Sequence, residues 1–166
     1  MKRFVAIFGS IVVLFVGAQT FAQTPTRYVA QIYSGYAASS LGTSTVSLGG
    51  GALFYLSPDF RIGGMLFYDN LLGKGVHVGG AALATDYVVP IRRWVEFFVG
   101  THIGMCSGNG DPALFLEPGF GFQFKFGTIG LEWRAGVRLP WMVQQSLHLK
   151  SDTQFLTTLS VAFGSW

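Results

Sequence analysis

A chain of 166 residues has room for one domain, and its composition is unlike that of an ordinary soluble one: half the residues are hydrophobic and only 11% are charged, against roughly 25% in soluble proteins. The formal charge is +3, but Lys2 and Arg3 open the chain. Eleven basic residues less these two leave nine against eight acidic ones, without a basic patch or motif for nucleic acid; the single cysteine, Cys106, excludes an intramolecular disulfide and any cysteine-rich metal site.

Met1 to Ala22 has the anatomy of a secretory signal peptide. Lys2-Arg3 supply the positive start, Phe4 to Ala18 the apolar core, and Thr20-Phe21-Ala22 the small residues a signal peptidase reads. Cleavage is expected before Gln23, leaving residues 23–166 as one domain. The apolar core is shorter than the roughly 20 residues of a spanning helix, and no later segment is long and apolar enough to be one.

The remaining chain alternates. Successive side chains of a strand point to opposite faces of its sheet, so alternation of apolar with glycine or polar residues predicts strands. Eight are predicted: about Arg27–Ala37, Thr45–Leu56, Phe60–Tyr68, Val76–Val89, Trp94–Met105, Ala113–Lys125, Ile129–Leu139 and Gln154–Trp166. The fourth alternates poorly, and Asp86 is expected to point inward. The sixth and seventh carry the clearest signal. Leu114, Leu116, Phe120, Phe122 and Phe124 share one face, against Phe115, Glu117, Gly119, Gly121, Gln123 and Lys125. Then Ile129, Leu131, Trp133, Ala135, Val137 and Leu139 oppose Gly130, Glu132, Arg134, Gly136 and Arg138. Phe126-Gly127 between them predicts a hairpin turn with Gly127 at positive φ.

Short connections near 57–59, 90–93 and 126–127 alternate with longer ones near 38–44, 69–75, 106–112 and 140–152, rich in Gly, Ser, Asn, Asp or Gln. An outer-membrane barrel has short periplasmic turns, long outer loops and strands of about 9–11 residues. The rival is a soluble lipocalin-like barrel, which buries its apolar faces. Two arguments favour the membrane. A soluble surface needs roughly 25–35% charged residues, and residues 23–166 hold seventeen (nine basic, eight acidic). An eight-stranded interior is also too narrow for the Phe-, Leu- and Trp-bearing faces. The fold class predicted is therefore all-β, an eight-stranded antiparallel up-and-down transmembrane β-barrel. Tyr28, Tyr36, Tyr68, Tyr87 and Trp141, near strand ends, are candidates for interfacial aromatic girdles.

With its signal peptide, eight alternating strands, Ser57-Pro58-Asp59 turn and last strand LSVAFGSW ending on an aromatic, the chain resembles the small eight-stranded outer-membrane barrels, such as the OmpA transmembrane domain and OmpX. The resemblance implies a Gram-negative-type envelope, outer-membrane lipid around the barrel, and a C-terminal aromatic read by the barrel-insertion machinery. That aromatic is Phe163 or Trp166, which have opposite parity. No cofactor is implied, and a surface ligand is open.

If the apolar faces meet lipid, the charges line the lumen, where unpaired charge is costly. With Phe126-Gly127 as the turn, Lys125 would face Thr128, Glu132 and Arg134 would face Gly121 and Gly119, and Glu117 would face Gly136. A network of Glu117, Glu132, Arg134, Arg138 and His102 is expected, with Arg61 and Glu96 nearer the periplasmic end. Pro118 cannot donate to the ladder, so a bulge or missing bond is expected beside Glu117. The network supports a closed structural barrel presenting surface loops, or else a narrow or gated pore. A third class is an enzyme acting on lipid A, for which Ser146, His148 and Asp152, or His102, Ser107 and Asp111, have the right residue types but no matching motif. His77, His102 and His148 are too far apart to suggest a metal site.

Overall fold

The computed structural model describes residues 27–40, 42–73, 75–108, 111–143 and 153–166. The expected signal peptide, Ser146, His148 and Asp152 lie outside these residues, as do the side chains of Asp111 and Trp141. Eight strands follow in chain order: β1 (Tyr28–Ser39), β2 (Ser44–Ser57), β3 (Phe60–Leu71), β4 (Val76–Arg92), β5 (Val95–Gly108), β6 (Asp111–Phe126), β7 (Ile129–Val143) and β8 (Gln154–Gly164). Each pairs antiparallel with its neighbours, and β8 pairs with β1 to close the barrel.

The register gives the barrel its tilt. The amide of Tyr55 donates to the carbonyl of Arg27. From Tyr55, a line across the ladders passes Arg61, Asp86, Gly100, Gly119, Gly136 and Leu156. It returns to β1 at Ala37, ten residues beyond Arg27. Ten residues are about 33 Å, and eight strands spaced about 4.8 Å apart span about 38 Å, so the strands lean about 40° from the axis, as closure of a small barrel requires.

Strands run from 11 residues in β8 to 17 in β4; all but β8, which ends at Gly164, are longer than the alternation predicts. They extend into segments expected to be loops: Asp69, Asn70 and Leu71 belong to β3, and Cys106 to Gly108 to β5. Three of the four expected long loops shrink to residues 40–43, 72–75 and 109–110. Polar residues there favour turns by composition, but at a barrel rim they have ladder partners on both sides. Likewise Pro90, Ile91 and Arg92 are in β4, where the register shifts between Pro90 and Arg92, and the turn falls at Arg93-Trp94.

Most of the large apolar side chains face outward. Ile32, Leu56, Phe155 and Leu159 are 60–69% exposed, whereas Arg61 and Gln123 are fully buried. An interior that holds charge and a surface that holds Leu, Ile and Phe invert the soluble arrangement and fit a barrel with lipid outside. Asp86 points inward, as expected.

Candidate functional site: the charged lumen

The β6–β7 hairpin sets the register of the lumen, and here the observed pairing departs from expectation. Gly127 has φ 67°, but the residues flanking the turn are Phe126 and Ile129. The turn is therefore Gly127-Thr128, one residue later than predicted, and each cross-strand pair shifts by two. Lys125 faces Gly130, Gln123 faces Glu132 and Arg134 faces Gly121. Leu116 faces Leu139 and Gly119 faces Gly136, which brings Glu117 level with Arg138 rather than with Gly136. Leaving out one β-turn position does not change which face a residue occupies, so inside and outside survive the error.

Two groups of ion pairs result. Toward the short-turn end, Arg61 donates from Nε to Asp86 at 2.9 Å, from Nη1 to Gln123 at 3.2 Å and from Nη2 to Glu132 at 2.9 Å. Arg134 donates to the other oxygen of Asp86 at 3.1 Å. Toward the loop end, Arg138 donates to Glu117 at 2.8 Å and to Asp69 at 2.5 Å, and Ser47 donates to Asp69 at 2.5 Å. His102 Nδ1 lies 3.2 Å from Glu117. A long contact from Arg134 Nη2 to the Glu117 carbonyl, 3.5 Å, links the two groups. Glu96 stands apart from Arg61: it pairs with Lys125 and accepts from the Tyr55 hydroxyl at 3.1 Å.

Composition alone hid two features. Asp69 falls in a segment that composition reads as a loop, and Asp86 on the poorly alternating fourth strand, yet both are bridging acids. The lumen also holds aromatic rings, and four of them face a glycine directly across the ladder: Tyr33 faces Gly49, Phe67 faces Gly80, Phe98 faces Gly121 and Phe115 faces Gly104. A Cβ on any of these glycines would collide with the opposing ring. The rings in turn carry guanidinium groups. Arg61 lies 4.5 Å over Phe98, and Arg138 lies 4.7 and 4.8 Å from the Phe67 and Phe115 centroids. Cation–π contact of this kind is worth more in a desolvated site than on a surface. The signal for it was available: Phe67 and Phe98 share parity with Arg61 and Glu96, respectively.

A cavity of about 20 Å³ lies among Gln31, Tyr33, His102, Glu117, Arg134 and Ser160, room for about one water molecule. His102 turns into the lumen while Ser107 is exposed on the opposite face of β5, so the structure does not bring the His102–Ser107 pair together. The side chain of Asp111, like Ser146, His148 and Asp152, lies outside the described residues.

At the outer surface, Tyr28, Tyr36, Tyr68 and Tyr87 are 46–53% exposed near strand ends. Tyr68 stacks on His77 and their hydroxyl and Nδ1 lie 2.7 Å apart. Trp133 is exposed mid-strand and donates to Thr157 at 3.0 Å. Phe163 is exposed on the outer face, whereas Trp166 turns to the short-turn mouth of the lumen, with the Lys125 ammonium 5.4 Å from its ring. Across β6 and β7, Glu117 and Pro118 have no ladder partners on β7, the gap expected from proline. The bulge lies elsewhere, between Leu114 and Phe115.

No family model and no curated protein matches the chain. Solved structures do. Neisserial surface protein A aligns with TM-score 0.68 at 13% identity over 84% of this chain and 97% of its own. The N-terminal β-barrel domain of Pseudomonas aeruginosa OprF aligns with TM-score 0.56 at 14% identity over 82% and 97%. The outer membrane enzyme PagL aligns with TM-score 0.52 at 18% identity over 80% and 98%. At these identities the likeness is one of fold, and with the inverted burial it establishes the architecture: the chain has the fold of the small eight-stranded transmembrane β-barrels.

Proposed function

We propose that the chain is an integral outer-membrane protein with a structural or surface-interaction role, its lumen shut to ions by the charged network. The observation that carries this reading is a pair of bridges between β3 and β7, strands on opposite sides of the barrel. Arg61 of β3 reaches Glu132 of β7, and Arg138 of β7 reaches Asp69 of β3. An ion moving along the axis must pass both, and each is backed by an aromatic ring. Breaking one partner of a buried pair leaves an uncompensated charge, a cost of about 3–5 kcal/mol, which opposes spontaneous opening. With the lumen occupied, what such a barrel offers other molecules is its loop end.

The experiment has two parts. Cell fractionation with gel mobility before and after heating tests the placement: a folded barrel in the outer-membrane fraction migrates differently unheated, and a soluble periplasmic protein counts against it. Planar bilayer recording tests the plug. The wild type is expected to be silent, and steady unitary currents would replace the closed scaffold with a pore.

A further inference from the structure

We propose that the β4–β5 turn is a binding site for an anionic phospholipid, with Arg92 and Arg93 holding its phosphate and an aromatic wall above the turn taking an acyl chain. This rests on the membrane-spanning reading and names a lipid for one place on its surface.

The arginines are set apart by their lack of protein partners. Both are exposed, and among the described residues neither forms an ion pair. Of the other described cations toward this end, Lys125 is paired with Glu96, and Arg61 and Arg134 with Asp86, while Arg27 lies over the Tyr55 ring at 4.6 Å and is half-buried. Asp59, the acid of the neighbouring short turn, is exposed and pairs with neither arginine. The third short turn, Gly127-Thr128, carries no charge. Positive charge at this rim is thus concentrated on one of its three short turns.

Directly above it the outer face is aromatic. Trp94, the residue after Arg93, is 52% exposed and stacks on Phe124 with centroids 6.3 Å apart. Phe97 and Phe122 continue the wall at 5.4 Å. A ring at the boundary, apolar rings beyond it and two guanidinium groups on the water side match the three parts of a phospholipid: glycerol, chain and phosphate. Guanidinium forks bind phosphate oxygens in a bidentate manner. A net-negative headgroup keeps this attraction in full, whereas the amine of a zwitterionic headgroup offsets it. Each basic residue at a membrane surface contributes roughly fivefold in affinity.

The test uses the purified full-length barrel exchanged into mixed bilayers of phosphatidylglycerol and phosphatidylethanolamine, released, and weighed with its retained lipids by native mass spectrometry. Wild type should retain phosphatidylglycerol over phosphatidylethanolamine by at least about tenfold. R92Q/R93Q should lose that preference, R92K/R93K should keep most of it, and W94L should weaken retention of both lipids. Heat-modifiability of each variant reports that it is folded. Equal retention of the two lipids by wild type, or an unchanged preference in folded R92Q/R93Q, overturns the site while the barrel reading stands. Failure of wild type to insert into any bilayer overturns both.

Discussion

Arg61 Nη2 on β3 and Glu132 Oε2 on β7 meet at 2.9 Å across the full width of the barrel. The same two strands are joined nearer the loops by Arg138 and Asp69 at 2.5 Å, with the charges exchanged: cation on β3 below, cation on β7 above. Arg61 is fully buried and Glu132 nearly so, so neither charge has water as an alternative partner. Removing Arg61 strands Glu132, although Asp86 retains Arg134. Arg61→Leu should therefore cost about 3–5 kcal/mol. Arg61→Leu with Glu132→Leu should cost less than Arg61→Leu alone, because it removes the orphan acid too. Urea unfolding in lipid or detergent, followed by gel mobility, measures both. A double variant as unstable as the single would mean that packing, not charge compensation, sets the cost.

What was legible in the sequence follows from period two. Alternation assigns a face, and a face assignment survives any register error of even size. Arg134 and Arg138 lie on the lumen face that alternation assigns to them, although their cross-strand partners differ by two residues from those the predicted turn gives. Register depends on which residues make the turn, and Phe126-Gly127 and Gly127-Thr128 are both acceptable turn pairs by composition. Strand ends were harder. Asp69 and Asn70 have turn-forming side chains, and only the neighbouring strands, Thr45 to Ser47 and His77 to Val78, hold them in the ladder. Composition alone therefore leaves Asp69 in a loop, outside the network. Contacts across the lumen, such as Arg61 to Glu132, join strands four apart and have no local signal at all.

The glycines test the packing of the lumen separately from its charge. At Gly121 a Cβ would meet the Phe98 ring and the Trp133 carbonyl, both fixed groups. At Gly64, on the outer face of β3, it would meet nothing within 4 Å. Gly121→Ala should destabilise by about 1–3 kcal/mol, the usual range for overpacking, and Gly64→Ala should change stability by less than about 0.5 kcal/mol. Equal effects in the same unfolding assay would contradict the inward placement of Phe98.

Arg138 lies between two acids, Glu117 and Asp69, and between two rings, Phe67 and Phe115. Truncating it leaves space, and two carboxylates that must be hydrated or protonated. Arg138→Ala alone should remain silent, because the Arg61–Glu132 bridge still closes the lumen; Arg61→Ala with Arg138→Ala should open a small leak selective for cations, because the exposed groups are negative. Planar bilayer recordings under a salt gradient give both the conductance and its sign. An anion-selective leak in the double variant would refute the assignment of those acids to the conduction path.

Pro118 interrupts an otherwise closed ladder. Pairing of Leu116 with Leu139 and Gly119 with Gly136 places Val137 opposite Pro118, where no N–H is available to its carbonyl. Replacing Pro118 by alanine frees the unfolded chain, which costs about 0.4–1 kcal/mol. It also supplies a donor. A hydrogen bond is worth about 0.5–1.5 kcal/mol in water, but an unsatisfied backbone group within a bilayer costs several kcal/mol. The second effect should win, because Pro118 is exposed on the outer, lipid-facing side and loses little packing there. Pro118→Ala should raise barrel stability by about 1 kcal/mol or more, and its new amide should exchange slowly with deuterium. If stability falls, or that amide exchanges at the rate of a loop residue, the gap beside Glu117 is held open by the surrounding network and not by the proline ring.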